Sequence, residues 1–438
     1  MGESIDDFFQ IGEVLEKQLT EIEEKLEDQI NKIIDLSHIG AVFTSLLDLD
    51  MILPMVIETA LRIVKGEVGE IIIFDSGEQP KTASWGLSYE NIQKIKTQQG
   101  VNIIDHVRNT GESITINNLS FHDNDKVRVH QVSINSIIST PLKAQDKVVG
   151  VVTIANKEDG QEFDEDDRFS LELLGSFAAV AVMNVELHEE ALIKQKIEHE
   201  LDIAEHVQQT LMPQENVEYD GIDVNVYHHQ AGQVGGDFYD IVKLEDGKYL
   251  AIVADVSNKG MPAALIMTAA RSYIHILAED ISSLSEFVAK FNEFLCRDMQ
   301  RMGGMFITMF FGLFDLKENI LLSVNAGHPP GYLFRGDEVI KLKTGGPFVG
   351  QFSGIKYIEN KTPLKTGDKL IVYTDGIFES VNSKGEMLGL ANSLKFLKKH
   401  CHAPWHDFVN DLKILLKEYS YDVGYVDDTT LMHIEVKK

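Results

Sequence analysis

The stretch "VGGDFYD", residues 234–240, places an acid directly after two glycines. Glycine permits unusual dihedrals and the close approach of another group, so Asp237 can face a cation or a phosphate at short range. Three further acidic positions look alike. Asp255 closes the strand-like run in "AIVADVSNKGMPAAL", Asp375 closes the run in "LIVYTDGIFES", and Asp427 and Asp428 precede the run in "DDTTLMHIEV". Each acid borders a buried apolar run, which holds it at the edge of a sheet. Carboxylates gathered there repel one another unless cations lie between them. Hard divalent ions such as Mg2+ or Mn2+ take oxygen ligands. Two such ions about 3.5–4 Å apart can bridge a water, lower its pKa and clamp a phosphoryl oxygen. Any one position has an ordinary alternative, because Asp-Gly is a common turn pair and an Asp after a strand is often a cap. Four in order on one domain, each beside a small residue or glycine, favour a shared cation site.

The elements that must hold these acids begin near residue 216. "GIDVNVYHH", "GDFYDIVKL", "KYLAIVADVS", "FITMFFGLFDL", "NILLSVNAG", "DKLIVYTDG" and "TTLMHIEV" read as strands. Helices are expected at about 260–280, 284–301, 390–399 and 405–418. Many strands with helices in pairs suggest two packed β-sheets flanked by helices, an α/β-sandwich over 216–438. Residues 37–188 read as an α+β domain on an antiparallel sheet, with strands in "GEIIIFD", "SITINN" and a hairpin around Gln145-Asp146, and helices at 41–65 and 167–188. Residues 1–36 read as one coiled-coil-like helix in which Leu15, Leu19, Ile22, Leu26 and Ile33 approach a heptad seam that Gln29 interrupts. A second long helix spans about 167–212. Ile193, Ile197, Leu201, Ala204, Val207 and Leu211 form its stripe, and Pro213 ends it. Its part at 189–215 is a helical linker. The expectation is a parallel homodimer in which the linker carries a signal between domains; the ordinary alternative is that both helices pack on their own domains.

A chain of 438 residues is too long for one core and predicts two or three domains. Its formal charge of −29 argues against nucleic acid, which wants basic patches, and against anionic membrane surfaces. Cys296 and Cys401 form no motif, so a reducing, cytoplasmic setting is expected. The start "MGESIDDFFQ" lacks the features of a signal peptide, and no apolar run approaches the roughly 18 residues of a membrane span.

The ordered set "VGGDFYD", "ADVSNKGMPAAL", "NAGHPP", "GDKLIVYTDGIFES" and "DDTTLM" resembles the sporulation-protein-IIE-like branch of the PPM metal-dependent serine/threonine phosphatases. The likeness covers about 198–438 and includes "ELDIAEHVQQTLMP". It implies a two-metal centre of Mn2+ or Mg2+ held by Asp237 and Asp255, with Asp255 bridging and the Val256 carbonyl assisting. Asp375 and Asp427 would ligate one metal, with Asp427 favoured over Asp428. It implies in-line attack of activated water on phosphoserine or phosphothreonine in a partner protein, often an anti-sigma-factor antagonist, with no phosphoenzyme. Asn258 replaces the usual glycine of the turn, but Asn tolerates positive φ. Asn325 and His328 of "NAGHPP" are expected to support the structure rather than the chemistry. "GGDF" also resembles the GG(D/E)EF signature of diguanylate cyclases, but Tyr239 follows Phe238 and the other four motifs do not fit. The rival function is a catalytically idle scaffold that sequesters a partner in response to a small ligand.

Residues 37–188 resemble a GAF sensor domain through "VVGVVTIANK" and the closing helix "DEDDRFSLELLGSFAAVAV". "NKEDGQEFDEDD" is similar to the signature of GAF domains that bind cyclic nucleotides. Asn156, Lys157 and Phe163 fit, while Asp167-Arg168 departs from Asp-Glu. A cyclic nucleotide, another small ligand and a purely structural dimer module all stay open, and Lys157 with Asp167 can form a clasp instead. "HCHAPWH", with His400, Cys401, His402 and His406, matches no zinc spacing and reads as an incidental surface cluster. "YHHQ" at 227–230, just before the strand that carries Asp237, reads as a strand edge, with a place in the lining of the cleft as the alternative.

Overall fold

A computed structural model describes residues 3–74, 80–86, 100–119, 128–129, 132–299, 304–419 and 427–437. They divide into two compact units, Met1–Lys196 and Ile197–Lys438. Asp75, at the end of "GEIIIFD", the side chain of Leu15 and the last two residues of the helix expected over 284–301 lie outside the described set.

In the first unit, helix α1 (Glu3–Ser45) runs past the expected end at 36, and α2 (Leu49–Val64) follows. The break falls at Asp48, whose extended backbone lets its carboxylate accept from Asp50 N at 2.9 Å and cap α2. Strands β1 (Gly66–Ile73) and β2 (Lys81–Trp85), helix α3 (Ile103–Thr110) and β3 (Ile114–Ile116) come next. After the two-residue strands β4 (Arg128–Val129) and β5 (Val132–Ser133) come β6 (Ile137–Ala144) and β7 (Lys147–Lys157). The main sheet is antiparallel in the order β2-β1-β7-β6-β3, and β6 and β7 form the expected hairpin, with Gln145 at a φ of 54°. One face packs α2, the end of α1 and the start of α4 (Glu165–Leu211); the other packs α3. Against expectation, α4 contains an 18-residue window apolar enough for a membrane span. Half of that window is buried, and Leu174, Ala178 and Val182 lie in the core of the unit.

The clasp forms. Lys157 Nζ lies 2.8 Å from Asp167 Oδ2. Asn156 Oδ1 accepts from Asn135 N at 2.8 Å while its Nδ2 donates to Glu67 Oε2 at 2.9 Å. Phe163 is buried, and its backbone exchanges two hydrogen bonds with the Asn117 amide. Of the apolar stripes of the long helices, Leu19, Ile22, Leu26 and Ile33 on α1 and Ile193, Ile197 and Val207 on α4 are exposed, while Leu201, Ala204 and Leu211 are half-buried.

In the second unit, the first sheet holds β10 (Phe238–Lys243), β11 (Lys248–Val256), β12 (Ile307–Asp315), β13 (Ile320–Ala326) and β16 (Gly345–Gly346) in that order, with β17 (Asn360–Pro363) also on β13. The second sheet has the order β15 (Glu338–Leu342), β14 (Gly331–Arg335), β18 (Lys369–Tyr373), β19 (Thr429–Val436), β9 (Ile222–His229) and β8 (Asn216–Tyr219). Alternate residues of the two sheets, among them Tyr239, Ala251, Val253, Phe310, Val372, Met432 and Ile434, share one core between them. Helices α5 (Met261–Leu277) and α6 (Leu284–Met299) cover the outer face of the first sheet. Helices α7 (Gly389–His400) and α8 (Trp405–Glu418) cover that of the second. The expected α/β-sandwich is therefore the fold.

"HCHAPWH" is not a surface cluster throughout. Cys401 is buried in the α7–α8 core, and His400 stacks on Phe396 and pairs with Asp411 at 2.8 Å. A thiol among apolar side chains behaves as a small hydrophobe, which spacing alone does not reveal.

Candidate active site

The register of the first sheet sets two acids side by side. Phe238 faces Ala254, so one step further along the antiparallel ladder brings Asp237 alongside Asp255. In the second sheet Tyr373 faces Leu431, and Thr374 N donates to Thr430 O at 3.0 Å, which carries Asp375 to the start of β19 beside Asp427 and Asp428. Two threonines then join the sheets. Thr374 Oγ1 and Thr430 Oγ1 each donate to Asp237 Oδ2 at 2.7 Å. Asp237 is only 2% exposed, so these bonds fix its carboxylate in a single orientation.

Burial, followed by Asp255, raises the Asp237 carboxyl well above the usual carboxylate range, against the pull of the two threonines. Burial, then Asp375 and Asp427, pushes Asp255 up to about 7. Burial, then Glu379 and Asp427, pushes Asp375 up to about 6. Among the described residues no Lys or Arg pairs with Asp237, Asp255 or Asp375.

The adjacent acids Asp427 and Asp428 do different things. Asp427 Oδ1 takes Lys259 Nζ at 2.9 Å and accepts from Asp428 N at 2.9 Å. Both oxygens of Asp428 are committed to backbone: Oδ1 accepts from Ala231 N at 2.9 Å, and Oδ2 from Gly236 N at 2.8 Å and Asp237 N at 3.5 Å. Asp428 thereby holds the loop that delivers Asp237.

Neither glycine before Asp237 has a positive φ; what they supply is closeness. A Cβ on Gly236 would lie 2.9 Å from the Val256 carbonyl oxygen, and one on Gly235 would lie 2.4 Å from Asp428 Oδ2. Asn258, in contrast, does take a φ of 70°, and the turn closes around it without glycine. "NAGHPP" clamps itself: Asn325 Oδ1 accepts from His328 N at 3.0 Å, Asn325 Nδ2 donates to His328 O at 2.9 Å, and His328 Nδ1 lies 2.9 Å from Thr308 Oγ1.

Among the described residues no three His, Cys, Asp or Glu side chains stand close enough to enclose a metal by themselves. The donors present are hard carboxylates and one carbonyl with uncompensated negative charge. That set fits an open divalent site completed by water, as Mg2+ and Mn2+ prefer, rather than a closed cage. A cleft of about 460 Å³ adjoins it, lined by Leu201, Ala231, Gln233, Val234, Lys259 and Asp428 among others.

Sequence reasoning missed Thr374, Thr430, Lys259, Glu379 and Gln208. The two threonines stand next to nominated acids in "YTDG" and "DDTTL", so adjacency was a usable signal. Gln208 gave none, since Gln209 follows it in the same helix. It is nonetheless buried, with Nε2 donating to Gly235 O at 2.7 Å and Oε1 accepting from Gly235 N at 3.2 Å. The end of α4 thus grips both backbone groups of the residue two before Asp237.

Residues 245–437 match the family Stage II sporulation protein E (SpoIIE), and residues 47–183 match the GAF domain family. The first match includes Asp255, Asp375, Asp427 and Asp428 and begins after Asp237. Among curated relatives, the Phosphoserine phosphatase RsbU of Bacillus subtilis is 28% identical over 248 residues, 56% of this chain and 72% of that protein. The Phosphoserine phosphatase RsbP of the same organism is 22% identical over 252 residues, 56% of this chain and 59% of that protein. The solved SiaA-PP2C domain of Pseudomonas aeruginosa aligns with a TM-score of 0.49 and 22% identity over 56% of this chain and all of that one.

Proposed function

We propose that this chain, in which a GAF domain precedes a SpoIIE-type phosphatase domain, is a signalling phosphatase that hydrolyses phosphoserine or phosphothreonine on a partner protein. One observation carries the reading. Asp237, Asp255, Asp375 and Asp427 come from separate strand ends to one edge of the sandwich, where burial and mutual repulsion raise the first three. With no Lys or Arg pairing with those three among the described residues, that charge calls for an external cation. Two Mn2+ or Mg2+ ions, when bound, supply an activated water and positive charge for the phosphoryl oxygens.

The chain's own residues do the rest. Asp237, held by Thr374 and Thr430, and Asp255 alongside it form the first half of the ligand set, with the Val256 carbonyl reached across Gly236. Asp375 and Asp427 form the second half. Asp427 is preferred to Asp428 because both oxygens of Asp428 already serve backbone amides. Lys259, beside Asp427 and in the lining of the cleft, offers a positive charge to an incoming phosphoryl group. Because phosphate monoesters hydrolyse extremely slowly unaided, charge and positioning must provide most of the rate.

The substrate is a phosphorylated partner of the anti-sigma-factor-antagonist kind, met by a cytoplasmic homodimer that pairs through the outward apolar stripes of α1 and α4. Residues 1–36 form the dimer helix, 37–188 the sensor, 189–215 the linker and 216–438 the catalytic domain. Ligand or partner state in the sensor shifts the linker, and through Gln208 and Gly235 it tunes the placement of Asp237 and metal occupancy. The test is phosphate release from a phosphoserine peptide or an aryl phosphate with Mn2+, with chelator, and with Asp375→Ala. Turnover that vanishes in both controls is expected; turnover that persists in chelator would overturn the reading. Deleting residues 1–190 without changing activity or its metal dependence would remove the transmitter role.

A further inference from the structure

The hydrogen bonds around Asp237 continue one step further, to a residue of "YHHQ" that the sequence placed only at a strand edge. His228, near the end of β9, places Nδ1 2.9 Å from Thr430 Oγ1, the hydroxyl that donates to Asp237 Oδ2. For the ionised Asp237 that a metal ligand must be, proton count forces the directions. A carboxylate accepts and a hydroxyl has one hydrogen, so once Thr430 donates to Asp237 its oxygen can only accept from its other neighbour. His228 must then carry its proton on Nδ1. Nε2 is left as the bare acceptor, sealed from solvent and without a hydrogen-bond partner among the described residues. Burying an unsatisfied polar atom is costly, and a residue retained only for packing would not need to bear that cost. Burial holds the ring neutral by pushing its pKa down to about 4, so exactly one N–H is available for Thr430 near neutral pH. Tyr239 packs edge-on against the ring, 5.7 Å between centroids, and anchors itself through its hydroxyl to Pro213 O at 2.9 Å. The ring is therefore fixed in position as well as in tautomer.

We infer that His228 is a positioning residue for the metal centre: its Nδ1–H locks the Thr430 hydroxyl onto Asp237 and so sets how tightly the site holds a divalent cation. Without that N–H the Thr430 rotor is free to turn, and Asp237 loses one of the two bonds that aim it. Partners of this kind, one bond behind the ligand, commonly change metal affinity about 10- to 100-fold. The inference rests on the phosphatase reading, which names Asp237 as a ligand.

Asparagine and phenylalanine separate the roles. His228→Asn keeps an N–H donor at the δ position of the side chain, whereas His228→Phe keeps a flat ring against Tyr239 but has no donor. Mn2+ binding to the full chain is measured by calorimetry after stripping with chelator, together with the metal-free melting temperature and aryl phosphate turnover. The expected result is Mn2+ affinity at least tenfold weaker in His228→Phe and within about threefold of the starting protein in His228→Asn, with melting near that of the starting protein in both. Unchanged affinity in His228→Phe, or equal weakening in both variants, overturns the inference. If His228→Phe does not fold, His228→Asn decides: affinity near that of the starting protein sustains the inference, and weak binding in a folded His228→Asn overturns it. If the unsubstituted chain neither binds Mn2+ nor releases phosphate, the phosphatase reading itself fails and takes this inference with it.

Discussion

Two acid motifs in this molecule have opposite fates. In the GAF domain, Asp167 meets Lys157 at 2.8 Å, and the signature that suggested a cyclic-nucleotide site spends its charged groups on a clasp. In the phosphatase domain, Asp237, Asp255 and Asp375 are buried or half-buried, and no Lys or Arg pairs with them among the described residues. The same domain shows that it can neutralise buried acids when the fold requires it. Asp240 lies 3.0 Å from Arg271 and 2.6 Å from His275, and Asp368 lies 2.6 Å from Arg335. A neutralised acid is a structural fastener. An acid cluster left raised in pKa by burial and by its neighbours has the charge that the proposed cation would offset.

The largest expected effect breaks that comparison at the unneutralised cluster. Asp255→Asn should lower turnover by on the order of 10²–10³-fold or more. It should also raise the metal-free melting temperature of the phosphatase domain by a few degrees at pH 8, because it removes repulsion that the folded state bears. Differential scanning in chelator checks both signs: activity falls while stability rises. A melting temperature that fell would mean Asp255 is fastened by the fold after all.

Saturating Mn2+ is the next largest. A ligand at 100 times its Kd stabilises the state that binds it by about 2.7 kcal/mol. The phosphatase transition should move up by several degrees, while that of the GAF domain stays put and Asp255→Asn loses the shift. Affinity for Mn2+ should also weaken as pH falls from about 7 through about 6. Protons then compete for Asp255 and Asp375, whose carboxyls bind them in that range rather than near the usual 3.8. Calorimetry at pH 8 and pH 6 reads this directly; equal affinity at both would count against those two acids as ligands.

Gln208→Ala tests a subtler contrast, between a helix end that only packs and one that positions. It should lower activity about tenfold with a small change in stability, since it frees both backbone groups of Gly235. The smallest effect belongs to the clasp. Lys157→Met should destabilise the GAF domain by about 1 kcal/mol and leave the Mn2+ dependence of aryl phosphate turnover unchanged. A change in that dependence would make the clasp part of the signal path.

Several features are legible in the amino-acid sequence itself. The alternating apolar runs placed β9 to β13, β18 and β19 to within a few residues, and the four helices of the sandwich fell where their amphipathic patterns placed them; β8, β14, β15, β16 and β17, each five residues or shorter, carry too few alternations to stand out. Pro213 stopped the long helix within two residues of its observed end at Leu211. The boundary between α1 and α2 was harder, because Asp48 ends one helix by capping the next, and a lone Asp in a helical pattern looks like any exposed acid. The apolar window of α4 escaped the sequence reading, because polar residues interrupt it and no continuous apolar run stands out; half of it is buried.

By itself the sequence determined the order and type of the acids at the ends of apolar runs, and with that the expectation of a hard cation, because strand ends and charge repulsion are local facts. Only the tertiary structure decided what each acid does. Asp427 and Asp428 are identical in type and adjacent in the chain, yet one pairs with Lys259 while the other holds three backbone amides. Thr374 and Thr430, 56 residues apart, meet on one oxygen of Asp237. Such assignments depend on which hydrogen bonds a packed pair of sheets leaves open, a property of the assembled core that no stretch of the chain contains alone.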